Sequence, residues 1–217
     1  MAYDLEEQEQ IASIQAFWKQ WGNLLTWVLI IALGSYAGYQ YWNKYQRDQS
    51  AEASTLFDQV EEAAVAKDNA KVQRAAADME TRYKRTTYAA LGSLVAAKSA
   101  FDANDMKTAK ARLQFVMANG NDEQQAIAKL RLAGILLDEK AYDEGMKLLA
   151  TAFPAAFAGA VADRKGDILV AQNKIVEARA AYQAALDAMS KEHPGRQLVQ
   201  IKFEAIGGTV PAPKAAA

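Results

Sequence analysis

The chain contains no cysteine. That removes a disulfide framework, a thiolate nucleophile and cysteine metal ligands, and it fits either side of a bacterial inner membrane. Histidine is nearly absent too. His193 stands immediately before Pro194 at an expected helix boundary, and without a second His or a Cys it builds neither a zinc site nor a nucleophile–base pair, so it reads as structural. Positive charge is not in excess: 25 Lys and Arg face 26 Asp and Glu, a formal net charge of −1. Nothing is left over to neutralise phosphates, and nucleic acid is not an expected partner. No segment reads convincingly as a strand, so no Gly-rich phosphate loop can follow one. Asp163 and Asp167 lie four apart on one expected helix face, but Arg164 and Lys165 stand beside them, and a solvated or salt-bridged face is the simpler reading. No catalytic residue, metal or cofactor is expected, and the chain does not read as an enzyme.

Another absence is local. From Gln20 to Asn43 there are 24 residues without a charge, although 24% of the chain is Asp, Glu, Lys or Arg. Leu24 to Trp42, as helix, is about 28 Å long, close to the roughly 30 Å hydrocarbon thickness of a bilayer. Trp18 and Trp21 flank one end and Tyr39, Tyr41, Trp42 and Tyr45 the other, where amphipathic rings favour the headgroup boundary. Lys19 and Lys44 close the segment. Three readings compete: an anchor in contact with membrane lipid, a cleaved export signal, and the buried helix of a soluble core. A signal has Ser35-Tyr36-Ala37 in its favour, but it needs a positive flank, and the first eighteen residues hold Asp4, Glu6, Glu7 and Glu9 with no Lys or Arg. Length and flanks favour the anchor. Gly34 and Gly38 form a G-x-x-x-G that can let a second transmembrane helix approach closely. Orientation is barely encoded, since Lys19 before the span against Lys44 and Arg47 after it favours a cytoplasmic C-terminal side by one charge.

Beyond Arg47 the chain becomes alanine-rich and mixed in charge, about 165 residues, enough for one domain. It repeats. Aligned on small residues, Ala63, Ala97, Ala133 and Gly166 are 34, 36 and 33 apart. Twelve residues after each stands Ala75, Ala109, Gly145 or Ala178. A large apolar side chain precedes each second small residue by three (Val72, Met106, Tyr142, Ile175), and another follows it by four (Met79, Leu113, Leu149, Tyr182). Small residues allow two helices to cross closely while large ones fill the space between them, and Lys67-Asp68-Asn69, Asn104-Asp105, Asp138-Glu139-Lys140 and Gln172-Asn173-Lys174 supply turns. The period and alternation resemble the tetratricopeptide repeat. The match is degenerate: Gln59, Ser93, Lys129 and Ala162 stand where an aromatic is usual, and Thr87, Asn121, Phe157 and Ser190 where a proline is.

The expected architecture is all-α. Residues 1–22 form an acidic amphipathic helix, with Leu5, Ile11, Ile14, Trp18 and Trp21 as its stripe, lying at the membrane surface before turning in. Residues 23–43 are the transmembrane helix, 44–208 a tetratricopeptide-like solenoid of about four helix pairs, and 209–217 a disordered tail. Pro194, Leu198, Ile201, Phe203 and Ile206 suit a C-terminal capping helix ended by Gly207-Gly208. The inner face of the repeats is apolar, through Phe57, Val60, Leu91, Leu94, Phe101, Ile127, Leu130, Leu137 and Val170. An open groove there would hold a segment of another protein. In a tightly wound array the same residues would pack repeat against repeat.

A short acidic N-terminus, one span ending in "GYQYWNKYQ" and four degenerate helical repeats together resemble the YfgM family, the tetratricopeptide-like ancillary subunits of the bacterial Sec translocon. The resemblance rests on Gly38 with Tyr41-Trp42-Asn43 and Gln46; on Thr87-Tyr88, Ala90-Leu91 and Ser93-Leu94; on Leu130-Arg131-Leu132-Ala133; and on Val161-Ala162-Asp163 with Gly166. It covers all but the tail after Gly208. It implies an inner-membrane protein with a cytoplasmic N-terminus and periplasmic repeats, associated with SecYEG and a PpiD-like periplasmic chaperone and serving newly secreted client proteins. That topology opposes the one-charge bias. A second function class is a scaffold for envelope or cell-division machinery that uses the same repeats.

Overall fold

A computed structural model describes residues 3–209. The Leu5 side chain and the expected tail from residue 210 onward lie outside the described residues. Nine α-helices and one 3-10 turn are present, with no strand among the described residues. They are α1 (Tyr3–Val65), α2 (Asn69–Arg82), α3 (Thr87–Asp102), α4 (Met106–Asn119), α5 (Asp122–Asp138), α6 (Tyr142–Leu149), the turn Ala155–Phe157, α7 (Ala158–Ala171), α8 (Ile175–Ala188) and α9 (Arg196–Ala205). The chain divides into two compact units, one ending at Ala51 and the other starting at Glu52.

In the first unit the expected bend between surface segment and span is missing: α1 passes through residue 22 as helix. Nothing there breaks it. No proline intervenes, and Gly22 is embedded in the turn, with the Trp18 indole 3.2 Å from where its Cβ would stand. Its carbonyl also accepts the Thr26 hydroxyl at 2.8 Å.

The second unit consists of hairpins of helices: the end of α1 with α2, α3 with α4, α5 with α6, and α7 with α8. Each first helix ends the same way. Lys67, Asn104, Lys140 and Asn173 take positive φ of 56°, 60°, 61° and 58°. The next amide then reaches back five residues, from Asp68 to the Ala63 carbonyl (2.9 Å), Asp105 to Ala100 (2.8 Å), Ala141 to Leu136 (2.8 Å) and Lys174 to Leu169 (2.9 Å). This is the Schellman ending, which satisfies carbonyls the helix leaves unpaired. The second helix starts at once, and Asp68 and Asp105 cap it by accepting the Lys71 and Thr108 amides at 3.0 Å. The Lys71 backbone amide is the chief cause that holds the Asp68 carboxyl below its ordinary range, and Thr108, through its side chain and then its amide, does the same for Asp105.

These four endings also correct the repeat alignment. Ala97, Ala133 and Gly166 each stand seven residues before the positive-φ residue, but Ala63 stands only four before it. The first repeat is slipped by three, so Val60 and Val72 occupy the crossing positions that Ala97 and Ala109 hold in the second. Both are fully buried, whereas Ala75 is only half-buried. A slip of three is hard to see in a pattern because residues three apart share a helix face.

In the later repeats the close crossings are present. A Cβ on Gly145 would meet Ile168 Cδ1 at 2.9 Å, and one on Gly166 would meet the Tyr182 ring at 2.4 Å. Ala109 and Ala178 have no exposed surface. Gly145→Leu is therefore expected to cost about 1–3 kcal/mol through overpacking, while Val176→Ser, at a position 75% exposed, should stay within about 0.5 kcal/mol. Thermal unfolding of the detergent-solubilised chain reads both, and equal melting temperatures would place Gly145 away from a crossing.

The cap exists with a different face. Val199 and Phe203 are buried against Tyr182, Leu186 and Ala185, whereas Leu198 and Ile201 are more than half exposed. Pro194 precedes the helix rather than entering it, since Gly195 is the N-cap. His193 fixes this entry: its Nδ1 accepts the Gly195 amide at 3.1 Å.

Candidate partner-binding surfaces

The first surface belongs to α1. It is the one described helix long and apolar enough to cross a membrane, and only 6% of its most apolar stretch is buried. Large side chains from Leu24 to Tyr45 point outward, which removes the reading of a buried soluble-core helix. Gly34 and Gly38 have nothing within 4 Å of where a Cβ would stand, so the backbone of α1 is bare there.

The second surface lies on the repeats. The nine apolar residues expected to line an inner groove do not share one environment. Val60 and Leu94 are buried in the core, Val60 completely and Leu94 all but 6%. Phe57 packs against the cluster around Val60 and Met79, and its ring lies 5.8 Å from that of Tyr88. Ile127 is half-buried against the cluster of α3, α4 and α5. Leu130 and Leu137 are half-buried against Ala133, Leu149 and Ile168, and Val170 against Tyr182 and Leu186. Leu91 is also half-buried. Phe101 is the exposed member, at 39%.

Phe101 borders a cleft of about 430 Å³ between α3 and α5. Lys98 and Asp102 of α3, Arg131, Gly134 and Asp138 of α5, and Arg164 of α7 form its rim, over Leu113 and Ile135. In the sequence Arg131 stands out only within a family motif and Arg164 only as a neighbour of Asp163, neither with a binding role, yet a signal exists: Arg131 and Arg164 both stand two residues before the small crossing residue of their helix.

Asp163 and Asp167 are ion-paired, with a partner from the cap. Lys202 of α9 places Nζ 2.9 Å from Asp163 Oδ1 and 2.8 Å from Asp167 Oδ1. Arg164 lies 3.3 Å from Asp167, and the Tyr182 hydroxyl donates to Asp167 at 2.8 Å. Burial, more than the adjacent Asp167, raises the Asp163 carboxyl above its ordinary range, and Lys202 opposes the rise. Burial likewise raises the Tyr182 phenol, followed by the negative charge and the acceptor bond of Asp167. It therefore remains a donor at neutral pH.

Stacked helix hairpins with small residues at their crossings, joined in one chain to a long apolar helix, define a helical-repeat protein of the tetratricopeptide type. The family model for a tetratricopeptide repeat-like domain matches residues 15–208. The chain is 33% identical to the ancillary SecYEG translocon subunit of Neisseria gonorrhoeae over 95% of its own length and 100% of that protein's. It is 31% identical to the Escherichia coli subunit of the same name, over 83% and 87% of the two chains. The Haemophilus influenzae subunit is 28% identical, over 88% and 94%. The chain belongs to this family of ancillary SecYEG translocon subunits. No solved structure matches it.

Proposed function

We propose that the chain is a membrane-anchored interaction module at the bacterial Sec translocon, whose repeats stand in the periplasm and help a PpiD-like chaperone engage newly translocated proteins. The observation that carries this reading is near end-to-end similarity to subunits named for the translocon, in a chain with a helix able to span a bilayer. The span holds the protein beside the channel, through lipid and through helix contact at the bare Gly34–Gly38 backbone. The repeats, as stacked hairpins, offer a long surface to other polypeptides.

The test is recovery of partners from membranes in mild detergent. SecY, SecE and SecG are expected to co-purify with the tagged full chain, and a periplasmic chaperone with them. Recovery of envelope synthases without SecYEG would favour the envelope or division scaffold instead. Orientation is tested with Lys191→Cys, an exposed position between α8 and α9 in a chain that otherwise has no cysteine. A membrane-impermeant maleimide should label it in cells with a permeabilised outer membrane. Protection until the inner membrane is lysed would put the repeats in the cytoplasm.

A further inference from the structure

The cleft beside Phe101 combines an exposed aromatic ring with guanidinium groups whose hydrogen-bonding capacity is largely unused. Arg131 donates to the Leu94 carbonyl at 3.0 Å, and no carboxylate lies within ion-pair distance among the described residues. Arg carries five N–H donors, so most of its donors are open to an acceptor. Partial burial of the guanidinium lowers its pKa from the ordinary value, while the residue as a whole stays open to solvent and so to a ligand. Arg164 reaches over from α7 until its Cζ is 3.7 Å from where a Gly134 side chain would begin. Asp167 occupies one edge of that guanidinium at 3.3 Å. The absent side chain at Gly134 lets the Arg164 guanidinium lie over α5, on the same rim as Arg131. Lys98 is already neutralised by Asp102, and Asp138 is the carboxylate left on the rim.

We propose that this cleft binds an extended peptide segment of a partner protein in which a carboxylate stands beside a bulky apolar side chain. Arg131 and Arg164 take the carboxylate, and the apolar group lies on Phe101 over Ile135 and Leu113. Arginine suits this because its planar donors match a carboxylate in two parallel bonds. An apolar group flanking the acid covers the ring and removes it from water, while the acid fixes the register. The inference rests on the repeats being a protein-interaction module and is independent of the translocon.

The test measures fluorescence anisotropy of a labelled peptide, Ala-Leu-Asp-Leu-Ala with a blocked C-terminus, against the full chain in detergent micelles. Its Asn analogue is the comparison. The Asp peptide is expected to bind about tenfold more tightly than the Asn peptide, the scale of a hydrogen bond to a charged group, with the gap narrowing as salt is raised. Arg131→Gln should close the gap. Phe101→Ser should weaken both peptides several-fold, and Asp138→Asn, which removes a competing negative charge, should tighten the Asp peptide alone. If Arg131→Gln fails to fold, Phe101→Ser and Asp138→Asn decide the matter, since both positions lie on the open rim of the cleft. Equal affinity for the two peptides, absence of binding, or weakening by Asp138→Asn would each overturn the proposal. Failure to recover SecYEG would leave these affinities untouched, so the two readings fail separately.

Discussion

Arg112→Met is expected to destabilise the protein by about 3–5 kcal/mol, the usual penalty for leaving a buried charge without its partner. Arg112 projects from α4 to Glu80 on α2 at 2.7 Å, with the two side chains only 15% and 18% exposed. Its Nε donates to Gln73 Oε1 and its Nη2 to the Gln73 carbonyl, both at 3.0 Å. Glu80 in turn accepts the Ser93 hydroxyl of α3 at 2.7 Å, and Gln73 donates to the Ala96 carbonyl at 2.8 Å. The guanidinium thus ties α4 to α2, and its two partners, Glu80 and Gln73, tie α2 to α3. Without it, Glu80 keeps a single neutral donor in a place water hardly reaches. The double variant Arg112→Met with Glu80→Leu should recover much of the loss, because well-packed apolar replacements of a buried pair are often neutral. Urea midpoints of the detergent-solubilised single and double variants measure this. A single variant within about 0.5 kcal/mol of the parent, the range of an ordinary surface substitution, would mean that Glu80 is adequately solvated.

Much of this fold is legible in the sequence because it follows from volume and polarity along a helix. The uncharged run from Gln20 to Asn43 marks the apolar helix without any knowledge of its neighbours. Ala109, Gly145 and Ala178 mark the crossings because nothing larger fits there, and Asn104 and Asn173 mark turns because Asn tolerates positive φ. Lys67 and Lys140 hold the same backbone conformation without that tolerance; there the surrounding hairpin imposes it.

What stays hidden depends on position around the helix rather than along it. In the first repeat a three-residue slip preserves the helical pattern, so only the turn at Lys67 reveals that Val60 and not Ala63 sits at the crossing. In α9 the pattern of Leu198, Ile201 and Phe203 allows two faces, and docking against Tyr182 selects Val199 with Phe203. The cleft shows the same limit. Counted at about 100° per residue, positions two before, one after and five after the crossing residue lie roughly 60–100° further round than those holding Leu94, Phe101 and Leu137. Arg131, Gly134 and Asp138 occupy those positions on α5, and a search for apolar columns passes over them. The Asp163–Lys202 contact is further still from sequence, since its partners are separated by 39 residues.

Lys202→Met is expected to cost about 3 kcal/mol at neutral pH, towards the lower end for an uncompensated buried charge because the site is not wholly dry. The side chains of Lys202, Asp163 and Asp167 are 27%, 19% and 15% exposed. Lys202 is the shared cation of the two carboxylates and lies 5.9 Å from the Tyr182 ring; Arg164 reaches only Asp167. The pH dependence gives the effect a signature. Asp163 has a raised value in the folded protein, so the folded state binds its proton more readily than the unfolded chain. Its contribution to stability is therefore fully present below its unfolded value and is lost as pH rises through the folded value. Removing Lys202 takes away a cause that lowers this value, so the raised range extends upward. Protonated Asp163 then needs no cation and can donate to a neighbouring acceptor. The difference in melting temperature between parent and Lys202→Met should consequently be largest near neutral pH and shrink as the solution is acidified towards about pH 4, the ordinary range of a free carboxyl. Lys202→Arg should keep most of the parent's stability, since it restores the charge. A melting difference that does not change with pH would make Lys202 a packing residue of the cap, leaving α9 held by Val199 and Phe203 and by the Arg196 bonds to the Leu186 and Met189 carbonyls.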